Sequence, residues 1–215
     1  DLHSFPTRRS SDLEMVRHEQ GAIHAAQGYA RVSGRTGVVL VTSGPGAMNT
    51  ITGLADAMID STPLVVICGQ VGAAMLGTDA FQEVDVVGVT QPISKWNYQI
   101  RRAEDVAWAV ARAFYIASTG RPGPVVLDFT KNAQTTVIDY EPQKVNFIRS
   151  YVPEPVCDRS VIQKAAEMIN QSVKPFMLVG QGVKLAGANQ ELIELAEKAQ
   201  IPFGCTMLGL SAIPS

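Results

Sequence analysis

Glu19, in the run VRHEQGAIHAAQGYA, opens an alanine-rich segment with little polar company behind it. An acid at that place is either a helix-start carboxylate favoured by the helix dipole, or a group held in an apolar cleft to exchange a proton or bond a cofactor. Pattern alone leaves both readings standing. Ser43-Gly44-Pro45-Gly46 sits between a strand pattern and a helix pattern, where glycines let backbone approach a ligand at the carboxyl end of a parallel strand. It lacks the Lys-Ser/Thr of a P-loop and is not GxGxxG, so a tight packing turn is the competing reading. Gly180 and Gly182, with Gly187 beyond, again follow a strand pattern without completing a dinucleotide fingerprint.

Other chemistry-bearing residues read more blandly. His18 and His24 have no second ligand at useful spacing, so solvated or core histidines are expected. Cys68, Cys157 and Cys205 are far apart, which fits reduced, mostly structural thiols in an intracellular protein and no metal site. Trp96, Trp108 and Tyr115 read as core or interface aromatics.

The elements that must position these residues alternate. Ala22, Ala25, Ala26, Tyr29 and Ala30 recur at helical spacing, with Gly34 as a stop. VVLVT at 38–42 is continuous and β-branched, as for a strand covered on both faces. A helix from about Ala47 to Met58, a strand at 63–68, a helix near 104–118 and a strand at 124–129 follow. Short strands separated by longer helices mean parallel βαβ units, an α/β fold. From about Lys131 to Asp158 scattered prolines break the pattern, and residues 135–158 read as an interdomain linker. Structure resumes with Ser160 as a candidate N-cap and Val161, Ile162, Ala165, Ala166 and Ile169 on one helix face. A strand at 176–179, a helix at 191–199 and a strand at 201–205 then begin a second, Rossmann-like α/β domain that is incomplete at Ser215. Residues 1–13, polar and basic, fit neither domain and read as a foreign or artefactual segment.

The chain of 215 residues has 46% hydrophobic and 18% charged residues and a formal net charge of -2. That balance is ordinary for a globular protein and gives no electrostatic case for nucleic acid or an anionic membrane as partner. No apolar run approaches the roughly 18 residues that would span a bilayer.

Taken together, RHEQGAIHAAQGYAR, VVLVTSGPGAMNTITGLADAMIDSTPLVVICGQV, GTDAFQEVDVVGVTQPISKWNY and TGRPGPVVLDFTKN resemble, in order and spacing, the pyrimidine-binding domain of acetohydroxyacid (acetolactate) synthases. These are thiamine-diphosphate-dependent enzymes. The resemblance is strong over about residues 15–134, and GTDAFQE with KWNY and GRPGPV makes it specific to this branch. FMLVGQGVKLAG and IPFGCTMLGL more loosely resemble the start of that family's central, FAD-binding domain. The implied organisation is a pyrimidine-binding domain at 14–134, incomplete at its front, the linker, and the start of the central domain at 159–215.

The resemblance implies decarboxylation of pyruvate and transfer of the two-carbon unit to a second 2-keto acid, pyruvate or 2-ketobutyrate, toward branched-chain amino acids. Glu19 matches the glutamate that hydrogen-bonds the thiamine pyrimidine ring, and is the implied catalytic residue. Gly44, Gly46 and Ala47 match the loop lining the cofactor cleft. Phe81 and Gln82 match residues facing the active site across a subunit interface, Gln82 also toward the cofactor, and Lys131 matches a lysine at the substrate channel. Arg121 matches an arginine that contacts FAD, a structural flavin in this family, and Gly180, Gly182, Thr206, Met207 and Leu208 fall where the central domain wraps it.

Magnesium is expected on a diphosphate-binding domain absent from these residues, so the chain alone is expected to be inactive. A homodimer or larger assembly with a shared active site, a possible regulatory subunit and a cytoplasmic setting are further implications. Gly72, Met48 and the KNAQ run depart from common family choices and leave substrate preference open. The competing readings are another carboligase or decarboxylase, of glyoxylate carboligase or pyruvate oxidase type, and a non-catalytic flavin- or nucleotide-binding module.

Overall fold

The structure, a computed structural model, describes residues 13–213. Most of the segment expected to be foreign therefore lies outside the described residues. The chain divides into one unit ending at Glu154 and a second beginning at Pro155.

In the first unit, α1 (Glu19–Ser33) buries Ile23, Ala26, Gln27 and Ala30, an i, i+3, i+4, i+7 stripe. His18 is its N-cap, its Nδ1 accepting from the Gln20 N–H at 3.1 Å, and Gly34 ends it at φ 69°. There follow β1 (Gly37–Val41), α2 (Pro45–Met48), α3 (Ile51–Ile59), β2 (Leu64–Gln70), α4 (Val86–Thr90), β3 (Trp96–Ile100), α5 (Val106–Ser118), β4 (Pro124–Thr130) and α6 (Lys131–Thr135). The four strands form one parallel sheet in the order β1-β2-β4-β3.

Each face of this sheet carries its own core. Leu64, Val66, Cys68 and Val126 pack with Ile23 of α1, Leu54 and Ala57 of α3 and Val86 of α4. Val65, Val125 and Leu127 pack on the other face with Ala109, Ala113, Ile116 and Ala117 of α5. Burial of each such Leu, Ile or Val side chain contributes about 1.5–3 kcal/mol. Helices α1 and α3 come so close that a Cβ on Gly53 would stand 2.1 Å from Ile23 Cγ2. Gln27 Nε2 donates to the Gly53 carbonyl at 3.1 Å, and Arg31 pairs with Asp60 at 2.7 Å.

The expected helix over 47–58 is interrupted at Asn49–Thr50, giving α2 and α3. Strand β1 is not covered on both faces by described residues. Its burial alternates, with Val38 51% and Leu40 69% exposed, because it is an edge strand whose helices lie on one side. Strand β3 was not expected, since WNYQI mixes aromatic and amide side chains instead of forming an apolar run. Its aromatics pack on the α5 side of the sheet: Trp96 and Tyr98 stack at 5.6 Å, and the Arg112 guanidinium lies 5.3 Å from both the Trp96 and Trp108 rings.

Part of the expected linker belongs to the first unit. Ile148 is buried, and Val145 and Tyr151 pack against the α5 face. The Tyr151 hydroxyl donates to the Thr119 carbonyl at 2.9 Å. Lys95 Nζ caps the end of α5, donating to the Ile116 carbonyl, to Thr119 O at 2.8 Å and to the Tyr151 hydroxyl at 3.2 Å.

The second unit contains α7 (Arg159–Gln171), β5 (Met177–Val179), α8 (Gly182–Leu185), α9 (Asn189–Ala199) and β6 (Phe203–Cys205), followed by a 3₁₀ turn at Met207–Ala212. Strands β5 and β6 pair in parallel. Asp158, not Ser160, caps α7: its carboxylate accepts from the Ser160 N–H at 2.8 Å. Asp158 is the stronger acceptor and stands one residue before the first helical position, where a cap belongs.

Candidate functional site

Parallel strands present their carboxyl ends on one edge, and the loops there form the usual ligand site of α/β folds. In the first unit that edge carries Ser43–Gly46 after β1, Val71 after β2 and Lys131 after β4. The Lys131 N–H donates to the Val71 carbonyl at 3.3 Å, tying two of these loops together.

Glu19 is the first residue of α1, a half-buried residue whose carboxylate, itself open to solvent, reaches the SGPG turn. Asn49 Nδ2, at the end of α2, donates to Glu19 Oε2 at 3.0 Å. The other oxygen faces Gly46, where an added Cβ would lie 3.5 Å from Glu19 Oε1. The bond from Asn49, followed by one from the Glu19 backbone, lowers the carboxyl below its ordinary pKa, and His18 adds to this against a small cost of burial. Glu19 thus stands as an ionised carboxylate, its Oε2 tied to Asn49 and its Oε1 beside the side-chain-free backbone of Gly46. Asn49 escaped the sequence reading: its only signal was a polar residue closing a short apolar helix.

The glycines of the turn have packing reasons of their own. Gly44 has φ 57°, and a Cβ there would fall 2.7 Å from the Gln82 carbonyl oxygen and 2.9 Å from its Cα. A Cβ on Gly46 would meet Thr42 Cγ2 at 2.6 Å. Ala47 is buried directly behind them.

Gln82 and Phe81 belong to a turn that the Glu83 carboxylate organises from within. Glu83 accepts from the N–H groups of Gly77, Thr78 (3.3 Å) and Ala80 (3.2 Å). Those backbone bonds, with Gly77 foremost, hold its carboxyl below the usual range. The turn presents Phe81 at 87% exposure and holds Gln82 at φ 60° against Gly44. Glu19, Gly44, Gly46, Gln82 and Lys131 therefore lie along one edge of the sheet.

Arg121 does not join them. It precedes β4 at the opposite edge, and the seven residues of that strand, at about 3.3 Å each, separate the two edges by roughly 20 Å. Its Nε donates to Ser61 Oγ at 2.7 Å and its Nη2 to the Ile59 carbonyl at 2.8 Å, so it caps the end of α3. In the second unit, Gly180 and Thr206 follow the paired residues Val179 and Cys205. The Thr206 N–H donates to Val179 O at 2.9 Å, and a Cβ on Gly209 would lie 2.3 Å from that same oxygen. Gly180, Gly182, Thr206, Met207 and Leu208 are thereby gathered at the carboxyl edge of β5 and β6.

Among the described residues no group of three His, Cys, Asp or Glu side chains is placed to hold a metal ion, and no helix is long and apolar enough to cross a membrane. Cys68 is buried on β2, its thiol pushed up to about 12 by burial and by neighbouring Asp128, while Cys157 is exposed and Cys205 half-buried.

The first unit thus sets a carboxylate beside a glycine turn on a parallel sheet, and the second α/β unit carries its own glycine edge. Residues 2–89 match the N-terminal TPP binding domain of thiamine pyrophosphate enzymes, and residues 162–215 match the central domain of the same enzymes. The chain belongs to the thiamine pyrophosphate enzyme family. Within it, the chain is 47% identical over 197 residues to the acetolactate synthase of Arthrospira platensis, covering 91% of this chain and 34% of that protein. It is 46% identical over 201 residues to the acetolactate synthase large subunit of Corynebacterium glutamicum (93% and 32%). To the acetolactate synthase isozyme 3 large subunit of Escherichia coli it is 44% identical over 207 residues (95% and 36%). The chain spans about a third of the length of the curated relatives it matches.

Proposed function

We propose that this chain supplies the pyrimidine-ring side of the active site of an acetolactate synthase catalytic subunit. The observation that carries the reading is the Glu19 carboxylate, fixed at Oε2 by Asn49 and lying at Oε1 beside Gly46. The residues fit the cofactor: an anchored carboxylate matches a ring nitrogen that must be hydrogen-bonded, and Gly46 sets bare backbone beside it. Thiamine diphosphate, when bound, supplies the carbanion and electron-sink chemistry for decarboxylating a 2-keto acid and passing on its two-carbon unit.

The protein's own contribution is to orient and to move protons. Glu19 holds the ring through Oε1 and exchanges a proton there, while Asn49 keeps the carboxylate from rotating away. Covering this edge removes water from Glu19 and raises its pKa from the lowered value it has in the uncovered unit, toward the range where proton exchange is efficient. Phe81, Gln82 and Lys131 line the approach of pyruvate or 2-ketobutyrate. Magnesium and the diphosphate fall to residues outside this chain, contributed across a homodimeric or larger assembly. FAD, in a structural role, is assigned to Gly180, Gly182, Thr206, Met207 and Leu208 of the second unit. A regulatory subunit partner and a cytoplasmic setting complete the proposal.

The test is product formation. The protein expressed from its complete reading frame, with thiamine diphosphate and magnesium, forms acetolactate from pyruvate. Glu19→Gln lowers kcat by about 10²–10⁴-fold, the range for a general acid–base group. An unchanged rate in that variant overturns the assignment, and a different product from pyruvate or glyoxylate moves the chain to another carboligase.

A further inference from the structure

Asp128 is the one charged residue in the apolar run of β4, fully buried, and the chemistry above does not use it. In the sheet it stands between Cys68 of β2 and Gln99 of β3. Its Oδ2 accepts from Gln99 Nε2 at 2.8 Å and from Gln70 Nε2 at 3.2 Å. Its Oδ1 is buried and finds no donor among the described residues. An ionised carboxylate so placed would leave charge on an unsolvated oxygen, and burial accordingly pushes Asp128 above its ordinary range, against the opposing amide bonds.

Gln70 is equally committed. Its Nε2 also donates to the Val84 carbonyl at 2.9 Å, and its Oε1 accepts from the Val71 N–H at 2.9 Å. Along the same face Asn97 Nδ2 donates to the Val87 carbonyl and to Thr90 Oγ1 at 2.9 Å. A helix as short as the five residues of α4 is not stable alone, and here side chains of the sheet satisfy its carbonyls and those of its lead-in. Val84 is the last residue before Asp85 caps α4, and it follows directly on the turn of Phe81, Gln82 and Glu83. That turn is the one whose Gln82 backbone lies on Gly44.

We propose that Asp128 is a positioning residue: it fixes the Gln70 carboxamide, which pins Val84 and so holds the Gly77–Glu83 turn, with Gln82, against Gly44 at the candidate site. The consequence for catalysis rests on the function proposed above; the mechanical part does not. An Asn at 128 keeps an oxygen to accept from both glutamines, whereas Leu removes the acceptor that buried Gln70 and half-buried Gln99 share.

The experiment compares wild type, Gln70→Leu, Asp128→Asn, Asp128→Leu and the double Gln70→Leu/Asp128→Leu, each expressed from the complete reading frame. Amide hydrogen exchange is read in peptides covering 77–84 and, as reference, 64–67. Gln70→Leu and Asp128→Leu speed exchange at 77–84 by about tenfold while leaving 64–67 near wild type. Asp128→Asn stays near wild type at both, and the double variant exchanges no faster than Gln70→Leu. Unchanged exchange at 77–84 in Gln70→Leu overturns the proposal. So does equal acceleration at 64–67, or a further full increment in the double variant, since either makes Asp128 a general core residue. Steady-state kinetics with pyruvate add a second readout: kcat falls with KM little changed in the two single leucine variants and stays near wild type in Asp128→Asn. Absence of acetolactate from the wild type itself would sink the proposed function and leave the exchange result to decide the positioning.

Discussion

Asn49 and Glu19, 30 residues apart in sequence, meet at 3.0 Å where the end of α2 faces the start of α1. This contact is the main cause of the lowered Glu19 pKa. Replacing the donor with Asn49→Leu should therefore raise the Glu19 pKa toward its ordinary value. A carboxyl carbon NMR titration, with Glu19→Gln to assign the resonance, measures it. The stability consequence has a definite sign: a depressed carboxylate stabilises the fold above its ordinary pKa and loses that contribution as pH falls through the folded value. The gap in stability between wild type and Asn49→Leu should accordingly narrow on acidification below the ordinary range. A Glu19 titration that ignores the substitution would remove Asn49 from the site.

The two residues also show what the sequence could and could not disclose. Glu19 was visible because an acid at the start of an alanine-rich helix is conspicuous, and the apolar runs that became β1, β2 and β4 set out the parallel sheet. Asn49 was not visible, because its importance comes from α2 ending at the sheet edge, a tertiary fact. WNYQI hid β3 for a related reason: its polar side chains face a helix carbonyl and a buried carboxylate, Asn97 donating to Val87 O and Gln99 to Asp128, so no apolar period appears. The stretch expected to be a linker carried prolines that broke its pattern, yet Ile148 and Tyr151 dock it on α5.

The contact between α1 and α3 predicts a coupling. Gly53→Ala in isolation improves helix propensity, but its methyl would overlap Ile23. We expect it to lower stability by about 1–3 kcal/mol, the usual cost of overpacking. In an Ile23→Ala background the same change should become neutral or favourable by roughly 0.5–1 kcal/mol, the ordinary gain of Ala over Gly in a helix. Urea denaturation of the four proteins gives the double-mutant cycle. Additive effects would mean that the helices shift apart at no cost.

Thiol reactivity follows from burial. Cys68, its thiol raised to about 12 and fully enclosed on β2, carries almost no thiolate at neutral pH. An aromatic disulfide reagent should titrate exposed Cys157 at once and Cys68 only after denaturation. Rapid loss of all three thiols from the folded protein would show that β2 is far more open than its burial indicates.

Arg121 separates a structural from a cofactor role by experiment. Its guanidinium serves the last carbonyl of α3 and the Ser61 hydroxyl. Losing such a cation at a helix end costs about 1 kcal/mol or less, so Arg121→Ala should lower stability slightly. Ser61→Ala removes only the Oγ acceptor and should have a similar or smaller effect. If Arg121 also contacts FAD, Arg121→Ala purified from the complete reading frame should retain less flavin, read from its visible absorbance, while Ser61→Ala retains the wild-type amount. Equal flavin in all three proteins would reduce Arg121 to the cap it forms on α3, and the flavin assignment would then stand on the glycine edge of the second unit alone.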